Sequence, residues 1–299
     1  MRALQEGTLP DDDPTALEES SFCLGCRACE PVCPAGVRYG ELLETWRDHS
    51  WKGRRRSPML RLLLWSTAQT WRVRLMGLRR HARRRLGTGP SLMLGCFERA
   101  LFPSVSRAAA ALVPGASISS HQGCCGALHA HNGERERGRR LAVQLGYDLP
   151  GTILTTSGGC AAHLGSVLGG DRVFELSEWL GEHPPAVTPS RPRLRVAVQD
   201  SCHLRNGMGI WREARTLLAE VAEVVELPSA SACCGAAGTY ALLRPRDSRR
   251  ILDAKLDEIR AADVDYVVTL NPGCLRQLQS GLRRRRLRTR AIHLAEVLS

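Results

Sequence analysis

Aromatic residues are scarce in this chain and make up 5% of its 299 residues, although hydrophobic residues as a whole make up 43%. A core of ordinary size, built largely from Leu, Val and Ala, is therefore expected. No stretch approaches the roughly 18 consecutive apolar residues that a membrane-spanning helix needs. The first residues, MRALQEGTLPDDDP, lack the apolar run of a secretory signal peptide. We expect a cytoplasmic protein that is soluble or peripheral on the inner face of the cell membrane.

The motifs of several common enzyme classes are also missing. The chain has no G-x-G-x-x-G fingerprint, so neither nicotinamide nor flavin binding is expected in it. It has no Ser-His-Asp order, no phosphate-binding loop and no paired-carboxylate motif. An independent acid–base site therefore has no support, and we predict no catalytic residue in this chain.

Cysteine is the residue type that carries a pattern. All twelve cysteines fall into three groups of four. Two groups contain a Cys-Cys-Gly triplet with one cysteine upstream and one downstream, in the same order and at similar spacing. In chain order, these two groups are Cys96, Cys124, Cys125 and Cys160, followed by Cys202, Cys233, Cys234 and Cys274. The repetition predicts one metal-binding module that occurs twice.

Adjacent cysteines followed by glycine favour a tight turn in which two sulfurs face one inorganic cluster. A glycine there allows the backbone to come close to the cluster. By the same reasoning, Gly158 and Gly159 are expected to let the backbone approach a cluster. A disulfide framework is the alternative, but it requires an oxidising compartment and is typical of small scaffolds.

The remaining four cysteines form a short run near the N-terminus with the spacing C-x2-C-x2-C-x3-C-P. They are Cys23, Cys26, Cys29 and Cys33. This is the bacterial ferredoxin pattern for a [4Fe–4S] cluster. Zinc ribbons use two separated C-x-x-C pairs, which disfavours zinc. In two-cluster ferredoxins the fourth cysteine binds the other cluster. Either Cys33 completes the first cluster, or a ligand comes from elsewhere, or an upstream segment is missing.

Six pairs of landmarks repeat on either side of a proline-rich stretch, HPPAVTPSRPR at 183–193. Short apolar runs before the single cysteines predict strands, a further strand is expected in ASISS at 116–120, and amphipathic stretches between them predict helices. The alternation predicts an α/β fold with largely parallel strands. Open sheets of this kind place their ligands at the carboxyl ends of strands, where the cysteines occur.

The predicted architecture is a ferredoxin-type iron–sulfur segment followed by two tandem cysteine-rich α/β modules. The expected divisions are a loose leader at 1–20, the ferredoxin-type segment at 21–50 with a helix from Gly40, a basic helical linker at 51–90, the first module at 91–185 and the second at 192–299.

The linker carries the whole charge imbalance of +12. Between Lys52 and Arg85 there are twelve Lys or Arg residues and no Asp or Glu, so the rest of the chain is neutral. One or two helices are expected there. Such a segment is a solvated face, a surface for an anionic membrane leaflet or a docking face for an acidic partner. Binding to nucleic acid is not expected, because the rest of the chain is neutral.

The ferredoxin run followed by two Cys-Cys-Gly modules resembles the iron–sulfur subunit of glycolate oxidase over roughly residues 21–299. The stretches CRACEPVCPAGVRYGELLE (26–44) and CCGAAGTYALLRP (233–245) carry the resemblance best. The wider cysteine-rich-domain family includes subunits of heterodisulfide reductase and of anaerobic glycerol-3-phosphate dehydrogenase, and the lactate-utilisation iron–sulfur proteins.

The resemblance implies an electron-transfer subunit of a flavin-dependent 2-hydroxy-acid dehydrogenase, with glycolate oxidation to glyoxylate as the first choice. A flavoprotein partner would hold the substrate site, and an acceptor such as quinone would take the electrons. The twelve cysteines would hold one ferredoxin-type [4Fe–4S] cluster and up to two more in the modules. Lactate and glycerol 3-phosphate remain alternative substrates.

The sequence departs from the family pattern in two ways. The glycolate oxidase subunit usually has two ferredoxin runs, and this chain has one. The fuller family motif ends in C-x-x-C, but neither Cys160 nor Cys274 is followed by that second cysteine. The missing cysteine disfavours the other hypothesis, a thiol–disulfide reductase of the heterodisulfide type. A zinc or structural scaffold is the third hypothesis.

Five histidines lie near the cysteines in sequence: His121, His129, His131, His163 and His203. His203 follows Cys202 directly, and His163 lies three residues after Cys160. Either one is able to hydrogen-bond a cluster or to replace a missing ligand. A supporting polar role is the favoured interpretation, because such groups are common around metal sites.

Overall fold

Two parallel β-sheets, one from each half of the sequence repeat, form the centre of the molecule. The structure is a computed structural model that describes residues 6, 8, 10, 13–51, 57–76, 83–186 and 193–299. Within these residues it confirms the predicted α/β fold with parallel strands. Parts of the basic linker, 52–56 and 77–82, lie outside the described residues.

Among the described residues, four helices precede the first sheet. They are α1 (Pro14–Phe22), α2 (Tyr39–Trp51), α3 (Pro58–Thr67) and α4 (Thr70–Met76). Helix α1 begins inside the expected loose leader, and the structure differs from that expectation at residues 14–20. Asp13 explains the difference, because its carboxylate accepts a hydrogen bond from Ala16 N at 2.8 Å and Pro14 supplies a helical φ at the first position.

The first sheet has three strands in the order of the chain, all parallel. They are β1 (Ser91–Met93), β2 (Ile153–Thr155) and β3 (Val173–Glu175). The helices of this half are α5 (Cys96–Leu101), α6 (Pro103–Leu112), α7 (Ala127–His131), α8 (Arg135–Asp148), α9 (Gly158–Leu168) and α10 (Leu176–Glu182), with a 3-10 turn at Gly170–Arg172.

The second sheet has four parallel strands in the order β5-β4-β6-β7. They are β4 (Leu194–Gln199), β5 (Ala222–Val225), β6 (Tyr266–Thr269) and β7 (Arg290–His293). The helices of this half are α11 (Cys202–Met208), α12 (Glu213–Ala219), α13 (Tyr240–Leu243), α14 (Pro245–Ala262), α15 (Pro272–Arg284) and α16 (Leu294–Leu298).

The strand expected at 116–120 does not form as an extended strand. Ser117 makes one parallel bridge to Ser91, at the place that β5 occupies in the second sheet, and Ile118 makes an antiparallel bridge to Arg85. The side chain of Gln122 makes the main-chain hydrogen bonds that further strand pairing would otherwise supply. It accepts a hydrogen bond from Leu94 N at 2.7 Å and donates one to Leu92 O at 3.3 Å.

The two halves share one hydrophobic core. Leu92 and Leu154 of the first half and Val196 and Leu294 of the second are buried in a single cluster. Burial of each such side chain contributes about 1.5–3 kcal/mol. Two of the contacts across the junction are equivalent, α6 with α16 and α10 with α12, and α9 also packs on α11. The modules are therefore packed against each other through corresponding helices.

The final strand–helix step of each half is built in the same way. Glu175 caps α10 and forms a capping box with Glu178, and His293 caps α16 with Glu296. His293 also contacts Thr156 O of the first half at 2.8 Å. Among the described helices, none combines the length and the apolar character that crossing a membrane requires.

Candidate metal centres

The four single cysteines lie in the first turns of helices that follow strands. Cys96 and Cys202 are the first residues of α5 and α11, and Cys160 and Cys274 are the third residues of α9 and α15. The sequence predicts a strand that ends at each of these cysteines. In the structure each cysteine lies just beyond its strand, in the helix that follows. Free main-chain N–H groups in the first turn favour a nearby thiolate.

In the first module the structure brings the four predicted cysteines together. Cys96 Sγ lies 3.7 Å from Cys124 Sγ, and Cys125 Sγ lies 3.1 Å from Cys160 Sγ. The two triplet cysteines are 2% and 3% exposed. The first cysteine of the triplet thus pairs with the upstream residue, and the second pairs with the downstream residue.

The second module repeats this pairing. Cys234 Sγ lies 3.1 Å from Cys274 Sγ, and the thiol of Cys233 is the main cause of the raised pKa of Cys202. Because upstream and downstream cysteines pair in the same sense in both halves, the sequence repeat is also a repeat of site geometry.

In the first module, hydrogen bonds between the thiols shift their pKa values, and these bonds meet at the sulfur of Cys124. Hydrogen bonds from Cys125 and Cys96 hold the pKa of Cys124 well below its usual range. The hydrogen bond to Cys124, followed by burial, raises the pKa of Cys96 well above its usual value. In the second module, the hydrogen bond to Cys233 and burial likewise raise the pKa of Cys202. Metal binding replaces the protons in these hydrogen bonds, because only thiolates bind metal.

The triplet glycines are required by their backbone conformation. Gly126 has φ +88° and Gly235 has φ +84°, in the left-handed region that favours glycine. The N–H of each donates to the sulfur two residues earlier, Cys124 or Cys233, at 3.4 Å. A Cβ on Gly126 would lie 2.1 Å from Gly138 O in α8. Each triplet is therefore a tight turn. The first of them packs closely against α8.

Gly158 has a packing role that the sequence does not indicate. A Cβ at this position would lie 2.4 Å from Ser201 Oγ and 2.5 Å from Leu204 Cγ. The glycine allows α9 of the first module to pack closely on α11 of the second. The approach of Gly158 and Gly159 to a cluster stays a prediction.

The N-terminal cysteines differ in what surrounds their thiols. Burial, together with the thiols of Cys26 and Cys23, raises the pKa of Cys29. Main-chain amides, first those of Val37 and Ala35, lower the pKa of Cys33. The thiol of Cys33 is therefore influenced chiefly by the turn that follows it.

The N-terminal run is docked on the second module. Asn206 Nδ2 in α11 donates to Cys26 O at 2.9 Å, and the thiol of Cys202 contributes to the raised pKa of Cys26, after burial. Arg244 Nη1 donates to Ser21 Oγ at 2.7 Å and thus ties α1 to the same module. The N-terminal cysteine run and the cysteine group of the second module are therefore neighbours.

Two arginines are buried beside the cysteine groups, and their hydrogen bonds within the described residues go to main-chain carbonyls. Arg99 is 4% exposed, and its Nη2 donates to Gln122 O at 3.1 Å and Gly123 O at 3.3 Å. Arg47 is 9% exposed and donates to Cys23 O at 2.8 Å. In the part of the chain that the structure describes, the Nε atoms of both are buried without a hydrogen-bond partner. A buried cation normally has an anionic partner, and thiolates are the nearest candidates.

The position equivalent to Arg99 in the second module is Arg205, three residues after Cys202. Arg205 Nη1 lies 2.6 Å from Asp200 Oδ2, so its charge is paired with a carboxylate. Sequence reasoning missed the buried arginines. For Arg47 a signal exists, because it stands in the apolar stripe of α2 between Leu43 and Trp51.

Three of the histidines singled out in the sequence line a cavity of about 340 Å³ between the N-terminal run and both modules. His131 Nδ1 lies 2.6 Å from Glu44 Oε1, and the ring centroids of His131 and His203 are 5.0 Å apart. His203 Nδ1 lies 3.5 Å from Cys202 Sγ. Burial lowers the pKa of His203 to about 3, so this ring is neutral at physiological pH.

His163 and His129 are placed differently. His163 Nε2 is buried without a hydrogen-bond partner, and burial lowers the pKa of this ring. His129 lies between Thr67 of α3 and Glu134, at 3.1 Å and 2.6 Å. His129 therefore ties the linker helices to the first module, and His121 is exposed.

The residues present fit iron–sulfur clusters. In the part of the chain that the structure describes, no three or more Cys, His, Asp or Glu side chains are arranged to hold one metal ion. Each module nevertheless gathers four cysteines, largely buried, next to first-turn amides. Thiolates with N–H donors nearby are the usual ligands of iron–sulfur clusters.

Comparison with known proteins gives the same picture. A family model described as "Cysteine-rich domain" matches residues 91–165 and 196–279, more than half of the chain. The two predicted modules are thereby confirmed as cysteine-rich domains.

Three relatives show how far the similarity extends. A protein of Bacillus subtilis (strain 168) described as "Probable glycolate oxidase iron-sulfur subunit" is 33% identical, with 100% of this chain and 85% of the relative covered. The "Glycolate oxidase iron-sulfur subunit" of Escherichia coli (strain K12) is 28% identical over 88% of this chain and 78% of the relative. A "Lactate utilization protein A 2" of Bacillus cereus is 27% identical over 70% of this chain and 97% of the relative. The chain therefore belongs to the family of glycolate oxidase iron–sulfur subunits, which is built on the cysteine-rich domain.

Proposed function

We propose that this chain is the electron-transfer subunit of a flavin-dependent 2-hydroxy-acid dehydrogenase that oxidises glycolate to glyoxylate. The observation that carries the proposal is the repeated pairing of four cysteines at the carboxyl ends of two parallel sheets. The sequence offers no site for nicotinamide, flavin or acid–base chemistry. The substrate pocket and the flavin therefore belong to a partner flavoprotein.

The twelve cysteines are the proposed ligands. Cys23, Cys26 and Cys29 would hold a ferredoxin-type [4Fe–4S] cluster, and each module would hold up to one more with its own four cysteines. Such clusters supply one-electron transfer when bound. Cys33 is the remaining proposed ligand, either of the ferredoxin-type cluster or of another one.

The chain itself orders and shields these sites. Burial of the triplets excludes water from Cys124, Cys125 and Cys234, which are 2% to 3% exposed. The contact of Asn206 with Cys26 O fixes the N-terminal run on the second module. The core shared by the two modules holds the two triplets in a fixed relation. These features favour electron transfer between fixed sites.

Purification of the tagged full chain from native cells under anaerobic conditions tests the proposal. We expect a brown protein with roughly eight to twelve iron atoms, which corresponds to two or three clusters of four. A flavoprotein should accompany it, and the complex should reduce an artificial acceptor with glycolate. If the complex reduced the acceptor faster with lactate than with glycolate, lactate would be the substrate instead of glycolate. A colourless, zinc-loaded protein would rule out the electron-transfer function.

We expect Arg99→Gln to make the reduction potential of the first-module cluster more negative. A buried positive charge stabilises the reduced, more negative cluster, and its loss should change the reduction equilibrium by about tenfold, or about 59 mV for one electron. Redox titration followed by electron paramagnetic resonance measures this shift.

The repeat supplies a matched control. Arg205→Gln removes the equivalent arginine, whose charge Asp200 already neutralises at 2.6 Å, so the second-module potential should change less. Arg99→Lys keeps the positive charge and should leave the reduction potential of the first-module cluster close to that of the parent chain. Equal shifts in Arg99→Gln and Arg205→Gln would show that the unpaired charge of Arg99 has no special effect.

We further propose that the electron acceptor is a membrane quinone and that the protein lies peripherally on the inner face of the membrane. The excess of basic residues between Lys52 and Arg85 supports this location.

A further inference from the structure

Helices α3 and α4 of the basic linker expose five large apolar side chains on their outer side. These residues define the α3–α4 face: Met59, Leu62, Trp65, Trp71 and Leu75. They are 53% to 65% exposed. Soluble proteins rarely expose so many large apolar side chains on two consecutive helices without a partner.

The exposure follows from the helical spacing and is not a fraying of the helices. On α3, Leu60 and Leu64 are buried at 1% and 3%, on the side opposite Met59 and Leu62. On α4, Val73 is fully buried. Each helix therefore has one apolar side in the core and a second apolar side that faces outward.

The inner side of α4 packs on a cysteine group. Val73 belongs to the same buried cluster as Cys96, Cys124 and Cys125 of the first module. An α-helix with its side chains is about 10 Å thick. Whatever binds the α3–α4 face therefore lies about one helix away from the first-module cysteines.

The charged side chains of the two helices that form this face have one sign. Arg61 and Arg74 are exposed on the same two helices, and Arg72 stacks on the ring of Trp65 at 3.8 Å and near that of Trp71 at 5.1 Å. The sequence has no Asp or Glu between Lys52 and Arg85. Exposed Trp and Leu surrounded by arginine are typical of helices that lie in the interface of an anionic bilayer.

We propose that the α3–α4 face docks on the surface of a bilayer that contains anionic lipid. Met59, Leu62 and Leu75 enter the boundary between headgroups and acyl chains, and the arginines pair with lipid phosphates. An acidic protein partner is the alternative occupant of such a face, and the experiment below distinguishes the two. Docking in this way brings the first-module cysteines to the membrane side of the molecule.

Flotation of the full chain with vesicles tests the docking. We expect binding to vesicles of phosphatidylcholine and phosphatidylglycerol in equal parts, little binding to pure phosphatidylcholine, and weaker binding at high salt. The double variant Leu62→Glu/Leu75→Glu should lower the bound fraction by about tenfold or more. Leu242→Glu, which changes a 44% exposed leucine on α13, should bind like the parent chain.

Two further measurements distinguish the possible outcomes. Iron content and the circular dichroism spectrum should be the same in the parent chain and the double variant, because both leucines are exposed. Unchanged vesicle binding in the double variant would overturn the proposal. So would a parent chain that ignores anionic vesicles while the double variant loses its flavoprotein, which would make the face a protein interface. A parent chain that binds anionic vesicles but is purified without iron would contradict the proposed function and leave the docking intact.

Discussion

Cys125→Ser is expected to remove one cluster's share of the bound iron, about four atoms, and to leave the remaining iron in place. The reason is the geometry of the first module, where Cys125 Sγ lies 3.1 Å from Cys160 Sγ and is buried. A serine hydroxyl is a far weaker ligand for iron than a thiolate, and the site offers no spare cysteine. Iron determination and electron paramagnetic resonance of the anaerobically purified chain measure the loss.

The second module provides the matched variant. Cys234→Ser removes the equivalent sulfur, which lies 3.1 Å from Cys274 Sγ. Each variant should eliminate a different signal, and the double variant should retain only the signal of the N-terminal run. If either variant keeps all of its iron and an unchanged spectrum, the triplet does not bind a cluster.

Gly126→Ala is expected to destabilise the first module severely, by about 3–5 kcal/mol. The residue has φ +88°, and a Cβ there would lie 2.1 Å from the main-chain oxygen of Gly138. The strained conformation and the backbone clash both oppose the substitution, so the turn that presents Cys124 and Cys125 must move. Urea unfolding of the apo-protein measures the stability, and iron content measures the damage to the site.

Gly151→Ala separates the two causes. Gly151 has φ +71°, but a Cβ there meets no atom within 4 Å. Its substitution carries only the conformational cost of a left-handed residue, about 1–2 kcal/mol. Equal losses in the two variants would mean that the close contact between Gly126 and α8 does not matter.

The repeat and the fold class are predictable from the sequence, because strands that end near cysteines leave a local record. Apolar runs before Cys96 and Cys202 match β1 and β4, and the cysteines occur at the predicted edge of each sheet. The position of the turn is also predictable, since Cys-Cys-Gly needs a glycine with positive φ.

Long-range contacts could not be predicted in the same way. Nothing local indicates that Gln122 replaces a strand by bonding to Leu92 and Leu94, or that Gly158 serves the packing of α9 on α11. The main-chain amides of Val37 and Ala35, which lower the pKa of Cys33, belong to a turn whose approach the spacing does not indicate. These features arise from tertiary packing, which spacing in the sequence does not encode.

The paired junction of α6 with α16 and α10 with α12 bears on the origin of the chain. A single module with these surfaces would contact a second copy of itself through the same two helix pairs, as a two-fold symmetric dimer does. Fusion of two such copies would free each half to change separately. Arg99 without a carboxylate and Arg205 paired with Asp200 are one such divergence. An ancestral homodimer with two identical sites could in this way become one chain with two different ones.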